Sequence, residues 1–350
     1  MAMAQAQGAT LNARKVLLSV IVPCFNEEAV IALTHRRLME SLGGDASFDL
    51  EVVYVNDGSR DRTEEMLFDL ADRDPRVKVV SFTRNFGHQP AVSAGLRYAT
   101  GDAVAVIDAD LQDPPEVILR LIAKWREGFD VVNAVRESRK EGVAKRFAYA
   151  LFYRTYRWLA SIDVPLDSGD FALMDRRVVD VMNALPEKNR FVRGLRSWSG
   201  FRQTGVAYER QSRAAGETKY SFRKLVRLAF DGIVNFSTAP LSLIFGLGVA
   251  TAVLALAAAV AYLVWRLVDI PILGYTPGQA PGFTTLILVI LFFSGVQLIS
   301  IGILGEYLGR IYQETKMRPT YVVKEVRGGR PAPAPGGTLL AERERSELRA

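Results

Sequence analysis

Five apolar runs divide the first 136 residues, and most close on a short polar cluster. Residues 16–22 are continuously apolar and end in Pro23-Cys24-Phe25-Asn26-Glu27-Glu28. Residues 50–55 end in Asn56-Asp57-Gly58-Ser59. Residues 77–82 form the third run, residues 103–107 stop at Asp108-Ala109-Asp110, and residues 129–134 form the fifth. The run at 16–22 has the pattern of a strand covered on both faces, and the other four read as strands as well. Between them the apolar spacing turns helical. The helices are expected up to about Leu42, stopped by Gly43-Gly44, over 63–72, over 89–99, and from Pro115 to about Glu127. Strands alternating with helices predict an α/β domain on a parallel sheet with right-handed crossovers. In such sheets ligands bind at the carboxyl ends of the strands, where these polar clusters lie. The first strand–helix turn has no glycine, which excludes the Gly-x-Gly-x-x-Gly dinucleotide fingerprint.

Further along, the pattern changes. Residues 143–160 read as an amphipathic helix rich in Tyr, Lys and Arg, suited either to a membrane interface or to packing on a core. Residues 167–171 form a polar turn entering an apolar segment. Residues 190–200 and 208–220 are basic, and residues 221–237 read as a short juxtamembrane amphipathic helix. Two charge-free runs follow, 241–265 and 283–304, with membrane spans expected at 238–267 and 281–306. At 1.5 Å rise per residue each can cross a hydrocarbon core of about 30 Å. The connector 268–282 has no Lys or Arg, whereas Arg223, Lys224 and Arg227 precede the first span and Arg310, Lys316 and Arg318 follow the second. The positive-inside rule then puts residues 15–220, both termini and the segment 307–350 in the cytoplasm. Residues 1–14 and the tail from about 328 read as disordered.

Composition adds three constraints. The chain has 350 residues and a net charge of +6, with the basic residues clustered. That favours an anionic partner or a membrane surface, and no nucleic-acid partner is expected. The lone Cys24 excludes an internal disulfide and fits a reducing compartment. Two histidines, His35 and His88, are too few for a histidine-built metal site, and each reads as a surface or loop residue. Asp108 and Asp110 are two apart, so in extended chain their carboxylates face one point. A divalent cation is the usual answer to such crowding. Oxygen ligands favour Mg²⁺ or Mn²⁺ with phosphate oxygens completing the shell, and Gln112 is the next residue in phase. The other reading is a polar turn with Asp113 capping the helix that follows Pro114-Pro115.

Taken together, three segments resemble the GT-A fold of family 2 glycosyltransferases: Val-Pro-Cys-Phe-Asn-Glu-Glu (22–28), Val-Asn-Asp-Gly-Ser (55–59) and Asp-Ala-Asp-Leu-Gln-Asp-Pro-Pro (108–115). The basic segments after residue 190 and the two apolar runs resemble the polyprenyl-phosphate branch of that family. The resemblance implies that Pro23, Phe25, Glu27, Val55, Asp57, Asp108 and Ala109 line a nucleotide-sugar pocket, with Asp57 accepting a base N–H. It implies a cation on Asp108, Asp110 and Gln112, phosphate contacts from Arg136, acceptor or donor phosphate contacts from Arg210, Arg213 and Lys219, and a catalytic carboxylate in Asp170 that orients a substrate or takes a residual proton. The implied substrates are a nucleotide sugar, UDP-glucose by default, and undecaprenyl phosphate in a bacterial inner membrane. Relatives form oligomers, and glycines in the apolar runs permit a tetramer. Two alternatives stay open: a processive polysaccharide synthase, although residues 195–198 lack the Gln-x-x-Arg-Trp pattern, and a membrane-anchored binding protein without turnover.

Overall fold

The computed structural model describes residues 15–136, 168–188, 190–210, 239–268 and 282–329. Its first part alternates as the hydrophobic pattern predicts: β1 (Val16–Cys24), α1 (Ile31–Leu42), β2 (Phe48–Asn56), α2 (Thr63–Arg73), β3 (Val77–Phe82), α3 (His88–Tyr98), β4 (Ala103–Val106), α4 (Val117–Arg126) and β5 (Val131–Arg136). Then come β6 (Ser168–Asp175), α5 (Arg176–Ala184), α6 (Val192–Trp198) and β7 (Gln203–Tyr208). One eight-stranded sheet results, in the order β7-β5-β6-β4-β1-β2-β3-β8, where β8 is Val323–Gly328. β1 lies between β2 and β4, parallel to both, and Val20, Ile21 and Val22 have no exposed surface. α3 packs so closely over β1 that a Cβ at Gly95 would fall 2.2 Å from Ile21 Cγ2.

In two places the sheet is not the all-parallel one that simple alternation predicts. β6 runs antiparallel between β4 and β5, so β5 keeps its expected direction but not its expected neighbour. β6 begins Ser-Gly-Asp, a turn-like start that conceals a strand, and it is held by partners on both sides. β8 adds antiparallel to β3, closing an edge that would otherwise present unpaired N–H and C=O groups. β8 ends at Gly328, where the expected disordered tail begins, in a segment for which no element was expected.

A buried ion pair sits in the amino-terminal halves of the strands, away from the polar clusters. Lys78 Nζ lies 2.9 Å from Glu51 Oε1, both residues being almost fully buried. Glu51 also accepts from the Ser19 hydroxyl, from Thr100 N at 2.8 Å and from Thr100 Oγ1 at 2.9 Å, while Lys78 donates to Tyr98 O at 3.0 Å. Such a pair is tolerated in a core because nearly every polar atom has a partner.

The sheet, with β8, forms one compact unit; residues 225–317 belong to another. The second unit contains α7 (Ala239–Val268) and α8 (Phe283–Thr315), of 30 and 33 residues. Both are long and apolar enough to cross a membrane, over 241–262 and 292–315. α8 runs past the expected end at 306 and carries an Arg310–Glu306 pair at 3.0 Å on its last turns. The expected helices at 143–160 and 221–237, the residues Arg213 and Lys219, and both terminal tails lie outside the described residues.

Replacing Lys78 by Met strands a buried carboxylate and should lower the unfolding free energy by about 3–5 kcal/mol. Burial pushes the Glu51 carboxyl up, but hydrogen bonds from Ser19, Thr100 and Lys78 outweigh it and hold the carboxyl below its ordinary range. A depressed carboxyl contributes stability that is complete above the unfolded value and lost as pH falls through the folded one. Denaturant titrations across pH should therefore show the acid limb of Lys78→Met displaced to higher pH.

Candidate active site

The loops after β1 and β2 are laced together. Asn26 is held at φ +55°, and its N–H donates to Ser59 Oγ at 3.0 Å while its Oδ1 accepts from Arg60 N at 2.9 Å. Glu27 N donates to Thr63 Oγ1 at 2.8 Å, and Glu28 Oε2 accepts from Arg62 N at 3.0 Å. This lacing and the strand register, in which Pro23 faces Val55, bring Pro23, Phe25, Glu27, Val55 and Asp57 to one sheet edge. Pro23, Phe25 and Glu27 remain partly exposed. Asp57 is buried, and its carboxylate accepts from Phe86 N at 2.6 Å and from Gly87 N at 2.9 Å. Burial raises its pKa above the ordinary value against the pull of those two N–H groups. Gly58, at φ +63°, lies against the 84–85 backbone, where a Cβ would come 2.3 Å from Arg84 C. In this arrangement Asp57 ties two loops together; a carboxylate oxygen keeps a second lone pair for any further donor.

The turn after β4 carries the acidic pair. Leu111 adopts φ +57°, a left-handed conformation that side chains avoid and that is found at functional turns. Asp110 Oδ1 accepts from Gln112 N at 3.1 Å, and Ala109 O accepts from Thr34 Oγ1 at 2.7 Å. Burial and the neighbouring carboxylates of Asp170, Asp113 and Asp110 raise the Asp108 pKa, with His88 opposing them. Gln112 Oε1 is buried with no hydrogen-bond partner among the described residues. No cluster of three or more His, Cys, Asp or Glu that could hold a metal occurs among those residues. Crowded carboxylates beside an orphaned carbonyl oxygen fit a hard divalent ion that takes few protein ligands.

Asp170 on β6 is engaged by three side chains. Arg193 Nε donates to its Oδ1 at 2.8 Å and Arg193 Nη2 to its Oδ2 at 3.3 Å. His88 Nε2 lies 3.0 Å, and Gln89 Nε2 3.3 Å, from the same Oδ2. His88 Nε2 also lies 4.0 Å from Asp108 Oδ1, so the ring bridges the two acidic positions. Burial alone would raise the Asp170 pKa; the Arg193 charge and the His88 hydrogen bond hold it far below the usual carboxylate range. A carboxylate so held is a poor proton acceptor and a good anchor for cations. Three residues on from Arg193 on the same helix, Arg196 is buried, donates to Gly169 O at 3.2 Å, and is pushed down to about 10 by that burial.

A second anchor is Asp113, expected as a helix cap at most. It is buried and accepts from the Tyr208 hydroxyl, with Arg136 Nη2 at 3.7 Å and Arg210 Nε at 3.6 Å. Arg136 Nε donates to the same hydroxyl at 3.3 Å. Arg136 and Arg210 thus both approach Asp113, the residue after Gln112. Sequence reasoning missed His88, Gln89, Arg193, Asp113 and Tyr208. One usable signal was position: His88 and Gln89 follow the polar stretch after the third strand, where the rule of carboxyl-end loops already pointed. His88 is exposed, as expected of a surface residue, and its ring nevertheless reaches both Asp170 and Asp108.

A sheet with these acidic and basic loops at one edge defines a glycosyltransferase of GT-A type. The model of glycosyl transferase family 2 matches residues 19–182. The chain is 47% identical over 316 residues to the uncharacterized glycosyltransferase YkcC of Bacillus subtilis (strain 168), spanning 90% of this chain and 95% of that protein. It is 44% identical over 310 residues to the bactoprenol glucosyl transferase of Shigella phage SfX, spanning 88% and 98%. It is also 44% identical over 313 residues to the prophage bactoprenol glucosyl transferase homolog of Escherichia coli (strain K12), spanning 89% and 99%. The chain belongs to glycosyltransferase family 2.

Arg193→Ala leaves Asp170 with His88 and Gln89 alone. Turnover should fall by about 100-fold or more, the scale set by loss of a preorganised charge, with donor KM changed far less. Initial rates at varied donor concentration check this, and Arg193→Lys should recover part of the loss.

Proposed function

We propose that this enzyme transfers a single sugar from a nucleoside diphosphate carrier, UDP-glucose in the first instance, to the phosphate of a polyprenyl lipid such as undecaprenyl phosphate. What carries the reading is 44% identity over 88% of the chain to a bactoprenol glucosyl transferase, in a chain that also has two membrane-length apolar helices. The sheet is left after β7 and rejoined at β8, so the intervening chain must cross a membrane an even number of times. Two crossings, with basic residues on both outer flanks, put the sheet on the cytoplasmic side of a bacterial inner membrane. A homo-oligomer, with a tetramer as the first candidate, is part of the same proposal.

The chemistry follows from charge. In the donor pocket Pro23, Phe25, Glu27, Val55, Asp57 and Ala109 hold the nucleoside. Asp108, Asp110 and Gln112 would hold Mg²⁺ or Mn²⁺, which when bound neutralises the departing diphosphate. Arg136 and Arg210, both near Asp113, screen phosphate oxygens, and the family resemblance gives the same role to Arg213 and Lys219, which lie outside the described residues. The acceptor phosphate, with a second pKa near 6, is largely dianionic at neutral pH and needs no strong base. Its oxygen attacks the anomeric carbon, the bond from that carbon to the diphosphate oxygen breaks, and the electron pair leaves with the nucleoside diphosphate. One displacement inverts the anomeric centre. Asp170 serves by holding Arg193 and His88 where the two phosphates approach.

The test uses full-length protein in detergent with undecaprenyl phosphate, Mg²⁺ or Mn²⁺ and a panel of labelled nucleotide sugars. A chloroform-soluble product with one sugar per lipid is expected. Polymer would establish the processive alternative, and donor binding without product the non-catalytic one. Chelation should abolish transfer and added Mg²⁺ or Mn²⁺ restore it, while Asp110→Asn should cost about 100-fold or more in rate at saturating metal.

A further inference from the structure

The strand that follows the second apolar helix reaches the nucleotide loops by two separate routes. The first is aromatic. Tyr321 stacks on Phe82, with ring centroids 4.9 Å apart and planes at 11°. Phe82 meets Phe86 edge to face at 5.7 Å. The Phe86 N–H then donates to Asp57 Oδ1 at 2.6 Å, and Thr83 N donates to Val322 O at 3.1 Å beside the stack. The second route is polar. Lys324 Nζ donates to Glu64 Oε1 at 3.0 Å and to Oε2 at 3.1 Å. Glu64 Oε1 accepts from Ser81 Oγ at 2.6 Å, and Ser81 Oγ accepts from Asn56 Nδ2 at 2.9 Å. Asn56 Oδ1 accepts from Ser59 N at 3.1 Å, and Ser59 Oγ accepts from Asn26 N at 3.0 Å.

We infer that residues 321–328 are a positioning element for the donor pocket: Tyr321 sets the Phe86–Gly87 backbone that grips Asp57, and Lys324 sets the Asn56–Ser59 turn and through it the loop at Asn26. Ser81 and Asn56 are buried, so the polar route runs through side chains with almost no freedom to turn elsewhere. A serine hydroxyl has one proton to give. Here it goes to Glu64, which leaves the oxygen to accept from Asn56 and fixes which way that amide points. Glu64 in turn is held below its ordinary range by the Ser81 and Lys324 hydrogen bonds against the effect of burial, and so stays an acceptor. The β3–β8 register also shifts between Ser81 and Phe82, the two residues at which the routes enter. A consequence is that the donor pocket is complete only once the chain beyond both apolar helices has returned to the sheet.

This rests on the proposal that the 23–28, 55–59 and 84–88 loops form the nucleotide pocket, and the experiment separates the two. Binding of UDP, and of GDP alongside, is titrated calorimetrically in Mg²⁺ to full-length wild type, Tyr321→Ala, Tyr321→Phe, Lys324→Met and Lys324→Arg, with thermal stability measured in parallel. The expected result is a Kd about tenfold weaker for Tyr321→Ala and Lys324→Met, the scale of coupling within one contact network. Tyr321→Phe, which keeps the ring, and Lys324→Arg, which keeps the charge, should stay within about threefold of wild type on the same scale. In turnover the two disruptive variants should raise donor KM and leave acceptor KM unchanged. Should Tyr321→Ala fail to fold, Lys324→Met, at a half-exposed side chain, still decides the matter. Wild-type-like Kd in Lys324→Met overturns the inference alone; a wild type that binds neither nucleotide overturns the reading of the pocket and the inference with it.

Discussion

Crowded negative charge at one edge of the sheet is the constraint that the rest of the structure answers. Asp108, Asp110, Asp113 and Asp170 come from two strand ends and the turn between β4 and α4, and three of them raise the pKa of the fourth, Asp108. Each is answered differently. Asp170 takes Arg193 and His88, Asp113 takes the Tyr208 hydroxyl with Arg136 and Arg210 nearby, and the pair at 108–110 keeps an orphaned carbonyl oxygen beside it. A protein that needed only stability would have fewer carboxylates here, since each buried one must be compensated. Their retention is understood if the edge must hold a cation and phosphates in turn.

How far the fold was legible follows from where burial leaves its mark. β1 to β5 are covered on both faces, so their sequences are mostly apolar, broken by Ser19, Glu51 and Lys78 whose polar atoms pair with one another, and their positions could be read within about two residues. β6 and β8 leave weaker traces. β6 opens on Ser-Gly-Asp because its first residues serve the site, and β8 alternates Val-Lys-Glu-Val-Arg because it is an outer strand with exposed side chains. Neither carries its pairing in its own composition; β4 and β5 specify the one, and the edge of β3 the other.

Legibility of the site divides along similar lines. Asp57, Asp108, Asp110 and Gln112 sit directly after strands, where local rules apply, and Arg136 ends β5. Arg193 and Tyr208 belong to a basic, aromatic stretch in which many side chains look alike, and their partners are 23 and 95 residues away. His88 was set aside because two histidines cannot build a metal site. That was sound for a ligand and blind to a ring that bridges two carboxylates. Asp57 shows the reverse: its position was legible, but the backbone groups it grips come from a loop 29 and 30 residues on.

The state of Asp170 bears on which acceptor suits this enzyme. Transfer to a sugar hydroxyl requires a proton to leave as the bond forms, and a base with a pKa near the working pH is the efficient agent. Burial would tune Asp170 toward that range, yet Arg193 and His88 take it the other way. An enzyme for hydroxyl acceptors would gain nothing from this arrangement and would lose its base. For a phosphate acceptor the balance reverses, because that nucleophile arrives already ionised and its obstacle is repulsion from the diphosphate. Cations pinned in place by a carboxylate held below its ordinary range are then the useful device. If the acceptor is the proposed lipid phosphate, the depressed Asp170 serves to keep its cations in place and not as the base.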